Sequence, residues 1–217
     1  MSQFQKHGFQ FEDIIIKQKT KLSKTEYNKK YKISPTSKFD IYKHSEYDIR
    51  YPMSIKTTKS NNICCGDIER FIFSLRRESF TLLIGRYKQV QSNKRIYKLY
   101  EFNFTPELAS TVTGNIPESM IYEYVDHIKS IEPGKDAQIK SRKIWKTKIK
   151  QMMETYNTGL LNINTKVDSK KQRRVQISLN IEKLMVSKIP YTIYESEYDG
   201  VKLPFEIESQ SRTFKKS

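Results

Sequence analysis

Apolar residues recur every three or four positions in some stretches of this chain and every second position in others. The switch between the two periods outlines its elements. Phe9, Phe11, Ile14, Ile15 and the aliphatic stem of Gln18 fall on one side of a helix, which predicts a helix from Gly8 to about Leu22. Residues 25–37 read as a connector broken by Pro35 and its neighbouring serines. The spacing then predicts a short strand over 38–43, a turn or second short strand over 44–50, and a strand over 52–58 with Pro52 at its start. After a turn at 60–62, Asp67 is placed to cap a helix beginning at Ile68. Residues 80–90 and 95–104 alternate as two strands of a hairpin.

The second half changes period again. Pro117 opens a helix running to Ile131, and a longer helix is expected over 135–157, with an apolar set of Ile139, Ile144, Trp145, Ile149, Met152 and Met153. Residues 166–174 read as a loop, 175–181 as a strand, and the tail as a hairpin turning at Asp199-Gly200. No internal repeat is visible. The order of helices and strands predicts an α/β fold, a mixed central sheet flanked by helices, as one domain over 1–217.

Composition supports a packed core: 36% of residues are hydrophobic and 12% aromatic. No apolar stretch is long enough for a membrane span, and the first residues lack the apolar segment of a signal peptide, so an intracellular protein is expected. Cys64 and Cys65 are adjacent, which disfavours a disulfide between them, and are expected to be buried free thiols in a reducing compartment.

Charge changes the picture more. The formal net charge is +16, and the stretch from Lys135 to Lys188 holds 14 basic residues against 4 acidic. A bias of overall composition would not concentrate charge in one quarter of a chain, and a nucleic-acid partner accounts for it better than a membrane surface. Lys143, Lys146 and Lys150 suit phosphate contacts from the long helix. Lys166, Lys170, Lys171, Gln172, Arg173, Arg174 and Gln176 combine groups that fit phosphates and guanine edges with amides that fit adenine edges. Trp145 is expected in the core rather than stacked on a base.

The candidate chemistry lies upstream. Glu12 is on the first predicted helix, Asp40 on a strand, and Ser54 and Lys56 share one side of the next strand by alternation. Two carboxylates and a lysine suit phosphodiester hydrolysis. Carboxylates can hold Mg²⁺, and the ammonium can stabilise the negative charge that develops on the phosphate. Glu46, Asp48 and Asp67 are weaker candidates for Asp40's place, Asp67 because it reads as a cap.

The runs Gly8-Phe9-Gln10-Phe11-Glu12, Phe39-Asp40-Ile41 and Pro52-Met53-Ser54-Ile55-Lys56 together resemble the active site of the PD-(D/E)xK nuclease superfamily. In size the chain is most similar to the type II restriction endonucleases of that superfamily. The motif-bearing part spans roughly residues 8–75, within a core expected over about 8–105 and followed by the basic region at 135–188. The resemblance implies a restriction-endonuclease-like fold and a Mg²⁺-dependent endonuclease cutting double-stranded DNA at a specific sequence, as a homodimer. It further implies Glu12, Asp40 and the backbone carbonyl of Ile55 as metal ligands and Lys56 as the catalytic lysine. Two departures stand out: Phe39 replaces the proline of the pattern, and Ser54 replaces its second acid, whose part would pass to Glu12. A catalytically inactive DNA-binding protein on a decayed nuclease fold is the alternative that Ser54 keeps open.

Overall fold

The computed structural model describes residues 6–34, 37–156, 160–168 and 172–208. In chain order its elements begin with α1 (Lys6–Thr20), α2 (Lys24–Lys30), β1 (Met53–Thr58), β2 (Asn62–Asp67), α3 (Ile68–Arg77), β3 (Phe80–Val90), β4 (Asn93–Phe104) and α4 (Ala109–Thr113). There follow α5 (Glu118–Lys129), α6 (Ala137–Ile144), a π-helical stretch (Trp145–Ile149), α7 (Lys150–Tyr156), β5 (Leu161–Val167) and β6 (Arg173–Asn180). The chain closes with α8 (Ile181–Met185), β7 (Tyr191–Tyr194), β8 (Glu197–Tyr198), β9 (Val201–Lys202) and β10 (Phe205–Glu208). The fold is mixed α/β, with a mixed sheet flanked by helices. The chain divides into two compact units.

The first unit comprises the chain up to Ser60, Phe80–Asn103, and the chain from Pro190 onward. Its sheet runs in the order β1-β3-β4-β10, with β7 also on β4. The β1–β3 pair is parallel, while β10 and β7 lie antiparallel to β4. β3 and β4 form the expected hairpin, and the tail turns at Asp199-Gly200, both at positive φ, between β8 and β9. Helix α1 exists because Phe11, Ile15 and Ile16 form one apolar stripe, and all three are fully buried against Ile55, Leu83 and Leu99. Burying each such side chain is worth about 1.5–3 kcal/mol. The stripe needs a close approach: a Cβ at Gly85 on β3 would lie 2.8 Å from the Phe11 ring.

Two expectations fail here for local reasons. Residues 38–43 form no strand: Ile41 makes one isolated bridge to Met53, and the segment is otherwise irregular. The expected connector at 25–37 contains α2, held by a capping box in which Ser23 accepts from the Glu26 N–H and Glu26 accepts from the Ser23 N–H.

The second unit comprises Asn61–Ser79 and Phe104–Ile189. Its antiparallel sheet has the order β2-β6-β5. Asp67 caps α3 as expected, accepting from the Arg70 N–H at 3.1 Å. β2 and β5 are strands that the sequence pattern did not lead one to expect, overlapping the expected turn only at Asn62 and the expected loop only at Lys166 and Val167. Ile63, Leu161, Ile163, Val175, Ile177 and Leu179 point to one buried side of the sheet, where α3, α5 and α6 pack. The long helix expected over 135–157 is interrupted by the π-helical stretch, whose wider turn re-phases the apolar side. Ile149 and Met152 are buried as a result, whereas Ile139 is 66% exposed. Trp145 is partly exposed, its indole N–H donating to the Ile163 carbonyl at 2.9 Å. The cysteines are free but not buried, because β2 alternates: Ile63 points inward, Cys64 is exposed and Cys65 half-buried. Among the described residues no helix is long and apolar enough to cross a membrane.

Candidate active site

Strand β1 is the edge of its sheet, and Asp40 and Ile41 satisfy its outer side. The N–H groups of both donate to the Met53 carbonyl at 2.8 and 3.1 Å, and the Met53 N–H donates to the Ile41 carbonyl at 2.8 Å. One step further along, the Asp40 side chain takes the part of a strand partner: its Oδ2 accepts from the Ile55 N–H at 2.7 Å. The same oxygen accepts from Lys56 Nζ at 3.1 Å, and Lys56 Nζ also donates to the Ile55 carbonyl at 2.9 Å. Asp40, the Ile55 carbonyl and Lys56 are therefore locked together by backbone geometry.

Glu12 joins them from α1. Phe11 anchors that turn of the helix in the core, and the next residue faces the cluster. Burial, then the charge of Asp40, push the Glu12 carboxyl above its ordinary range. The Lys24 hydrogen bond and the charges of Lys24 and Lys56 oppose the rise without cancelling it. The side chains of Glu12 and Asp40 are each 18% exposed, that of Lys56 30% and that of Lys24 16%. These carboxylates are shielded enough for their repulsion to be felt, yet open to a small ligand.

Lys24 is the member that sequence reasoning missed. Its ammonium is bonded to Glu12 and lies 4.0 Å from the centre of the Phe9 ring, while its backbone N–H donates to Asp13 Oδ1 at 2.5 Å. The readable signal was the Ser23-x-x-Glu26 box, which starts a helix directly after α1 and folds Lys24 back onto it. A cleft of about 280 Å³, lined by Phe9, Lys24, Asn28, Phe39 and Asp40 among others, opens beside the cluster.

Ser54 is half-buried and shares the side of Lys56 by strand alternation, but no hydrogen bond joins it to the cluster. The rival acids stand elsewhere: Glu46 pairs with Lys30 at 2.6 Å, Asp67 is a cap, and Asp48 is exposed. No group of three or more His, Cys, Asp or Glu side chains that could hold a metal ion occurs among the described residues. The oxygen set here is two carboxylates and one backbone carbonyl. Its hard oxygens suit a divalent cation, whose charge would offset the burial and, second, the Asp40 charge that together raise Glu12.

The basic segment belongs to the second unit. Lys143 and Lys146 are exposed, Lys148 pairs with Glu123 at 2.5 Å, and Lys150 pairs with Glu154 at 3.8 Å. Lys166 and Arg174 are exposed and stand opposite each other across β5 and β6, and Gln176 is half-buried opposite Asn164. Gln172 is exposed, its backbone N–H held by Asp168 Oδ1 at 3.0 Å. Lys170 and Lys171 lie outside the described residues. Arg173 differs from its neighbour: its side chain is 9% exposed, with Nε donating to the Ile131 carbonyl at 2.6 Å and Nη1 to the Asp168 carbonyl at 2.8 Å. It braces its own loop.

No protein-family model, no curated protein and no solved structure matches the chain.

Proposed function

We propose that this protein is a Mg²⁺-dependent endonuclease that hydrolyses phosphodiester bonds of double-stranded DNA on a restriction-endonuclease-like core, acting as a homodimer. One observation carries the reading. Glu12 from α1, Asp40 from the segment bridging β1, and Lys56 from β1 converge on one partly shielded spot, with Lys56 Nζ held between Asp40 Oδ2 and the Ile55 carbonyl. Residues spread over 45 positions of sequence have no need to meet unless the fold or the chemistry uses them together. The excess of lysine and arginine between Lys135 and Lys188 supplies a partner surface for a polyanion.

In this reading Glu12, Asp40 and the Ile55 carbonyl would hold the cation, which would supply Lewis-acid polarisation of the phosphate and activation of the attacking water. Lys56 places a positive charge where the attacked phosphate gains negative charge, and Asp40 orients that ammonium. Lys24 keeps Glu12 compensated while no cation is present. Water adds to phosphorus and releases a proton to solvent, the P–O bond to the leaving oxygen breaks, and the leaving oxygen takes up a proton from solvent.

A second reading, a DNA-binding protein that has lost cleavage, is favoured by Ser54 in place of an acid and by the two lysines that already neutralise both carboxylates. Incubation of the purified chain with supercoiled plasmid, with Mg²⁺ and with EDTA, separates the two. Mg²⁺-dependent nicking or linearisation that disappears in Lys56→Ala supports the nuclease. A gel shift without cutting under both conditions supports the binding protein and refutes the nuclease.

A further inference from the structure

The three-stranded sheet of the second unit has one buried apolar side and one open side of unusual make-up. Outward positions run through Asn62 and Cys64 on β2, Asn162, Asn164 and Lys166 on β5, and Arg174, Gln176, Ser178 and Asn180 on β6. None of these is acidic, but beyond the bulge in β2 the register sets Asp67, a carboxylate engaged in capping α3, opposite Gln176. Lys166 and Arg174 stand directly opposite one another, a like-charge pair that destabilises a sheet unless an anion lies over it. Neither forms an ion pair with a carboxylate among the described residues. Beside that pair, Asn164 faces Gln176 and Asn162 faces Ser178. Both hydrogens of Asn164 Nδ2 are engaged, donating to Ser178 Oγ at 3.2 Å and to the Asn162 carbonyl at 3.3 Å, which leaves Oδ1 as the atom that can accept from a base amino group. Asn180 is excluded as a reader, since its Oδ1 caps α8 by accepting from the Lys183 N–H at 3.0 Å.

We propose that this open sheet side is a base-reading surface seated in the major groove of double-stranded DNA. Asn162, Asn164 and Gln176 meet base edges, and Lys166 and Arg174 hold the flanking phosphates. All five residues lie on the β5–β6 ribbon, two strands about 4.8 Å apart, a width that a groove about 12 Å wide admits. Side chains on the same side of a strand repeat every ~6.8 Å, close to two base-pair steps of about 3.4 Å. The Gln176 amide can meet the paired donor and acceptor of adenine and the Asn164 Oδ1 a single base amino group, whereas a surface for phosphates alone would need only cations. The proposal rests on the DNA-directed reading above and deepens it. It moves base recognition from the loop at 166–174 to the side of a sheet, and from Arg173 to β5.

The test uses the full chain in EDTA, so that no cleavage can contribute. Binding is read by fluorescence anisotropy with a labelled random-sequence duplex at several salt concentrations, and by selection from a pool of duplexes with a randomised centre. The wild-type chain is expected to enrich a preferred sequence. Asn164→Ala and Gln176→Ala, both at outward positions, each relax one position of it by about 5- to 150-fold and leave random-duplex affinity within about two-fold. Lys166→Ala and Arg174→Ala each weaken every duplex and lower the salt slope by about 0.9. Failure to enrich any sequence, or unchanged selection and salt slope in all four variants, overturns the proposal. So would stronger binding to a single-stranded RNA probe with the same variant pattern. Because nothing is cut in EDTA, the nuclease reading can fail while this surface stands, and variants that bind unchanged while the wild type cuts plasmid in Mg²⁺ would sink the surface alone.

Discussion

Asp40 offers the sharpest test because its carboxylate performs two separable tasks. Oδ2 accepts from the Ile55 N–H at 2.7 Å, which braces the open edge of β1, and it accepts from Lys56 Nζ at 3.1 Å within the proposed catalytic cluster. Asp40→Asn keeps an oxygen acceptor for the Ile55 N–H and removes the charge. Asp40→Ala removes both. Leaving the shielded Ile55 N–H without an acceptor costs about 1–3 kcal/mol, whereas exchanging a charged for a neutral acceptor costs about 1 kcal/mol. Both variants free Glu12 from the like charge that helps raise it, a gain that largely cancels when the two are compared. Asp40→Ala is therefore expected to be less stable than Asp40→Asn by about 1–2 kcal/mol, or roughly 2–8 °C in Tm for a chain of this size.

Cleavage should follow a different order. A metal-assisted step loses several kcal/mol with a missing charged ligand, so a loss of about 2–4 kcal/mol corresponds to ~30- to 1000-fold in rate. That loss is expected for Asp40→Asn and Asp40→Ala alike, although their stabilities differ. The assays are plasmid cleavage in Mg²⁺ at a temperature where both variants are folded, and thermal unfolding followed by circular dichroism. If Asp40→Asn cuts within about three-fold of the wild type, Asp40 is a brace for the strand and the catalytic assignment is wrong. If the two variants melt together, the Ile55 N–H does not depend on Asp40 as its geometry indicates.

The remaining expectations concern the same unit. Lys24→Met leaves the Glu12 carboxylate shielded and without its ion-pair partner, so it should lower stability by about 1–3 kcal/mol, and Glu12→Gln in the same chain should restore most of that in urea unfolding at pH 7. Gly85→Ala drives a Cβ to within 2.8 Å of the buried Phe11 ring, so a loss of about 1–3 kcal/mol is expected, with cleavage impaired because Glu12 follows Phe11 on α1. Lys94 is 5% exposed, rests over the Tyr87 ring at 4.2 Å, and is pushed down to about 8 by burial and the charge of Lys59. Between about pH 8 and 10.5 the unfolded chain holds more protons at this site, so the group's penalty is complete below pH 8 and fades as pH rises. Lys94→Met should accordingly be more stable than the wild type by about 1–3 kcal/mol at pH 7, with the gap narrowing towards pH 10; a gap that widens with pH contradicts the sign.

The parts of the fold that were legible are those where one period dominates. Met53 and Ile55 alternate with Ser54 and Lys56 in both sequence and structure, and the stripe of Phe11 and Ile15 placed α1 correctly. Asp40 was assigned to a strand for the right partner and the wrong reason. It lies against β1 through a single bridge and its own side chain rather than through a ladder, a long-range arrangement that leaves no periodic trace. Lys24 escaped because its partner is twelve positions away around a tight turn, although the capping box that makes the turn was readable.

The basic segment shows where charge counting stops being informative. A surplus of lysine and arginine locates a region, but direction is set by strand register, and shifting a strand by one residue exchanges its two sides. Arg173 and Arg174 are adjacent and chemically identical, and they face opposite ways once β6 starts at Arg173. Arg173 turns inward onto the carbonyls of Ile131 and Asp168, and Arg174 outward beside Lys166. Read as a loop, both qualify as DNA contacts. Read as a strand, alternation removes Arg173 and admits Asn162 and Asn164, which carry no charge and so left no mark on the charge profile. If the surface reads bases as proposed, the polar residues that discriminate between them are the ones a search for cations passes over, visible only when β5 supplies the other half of the surface.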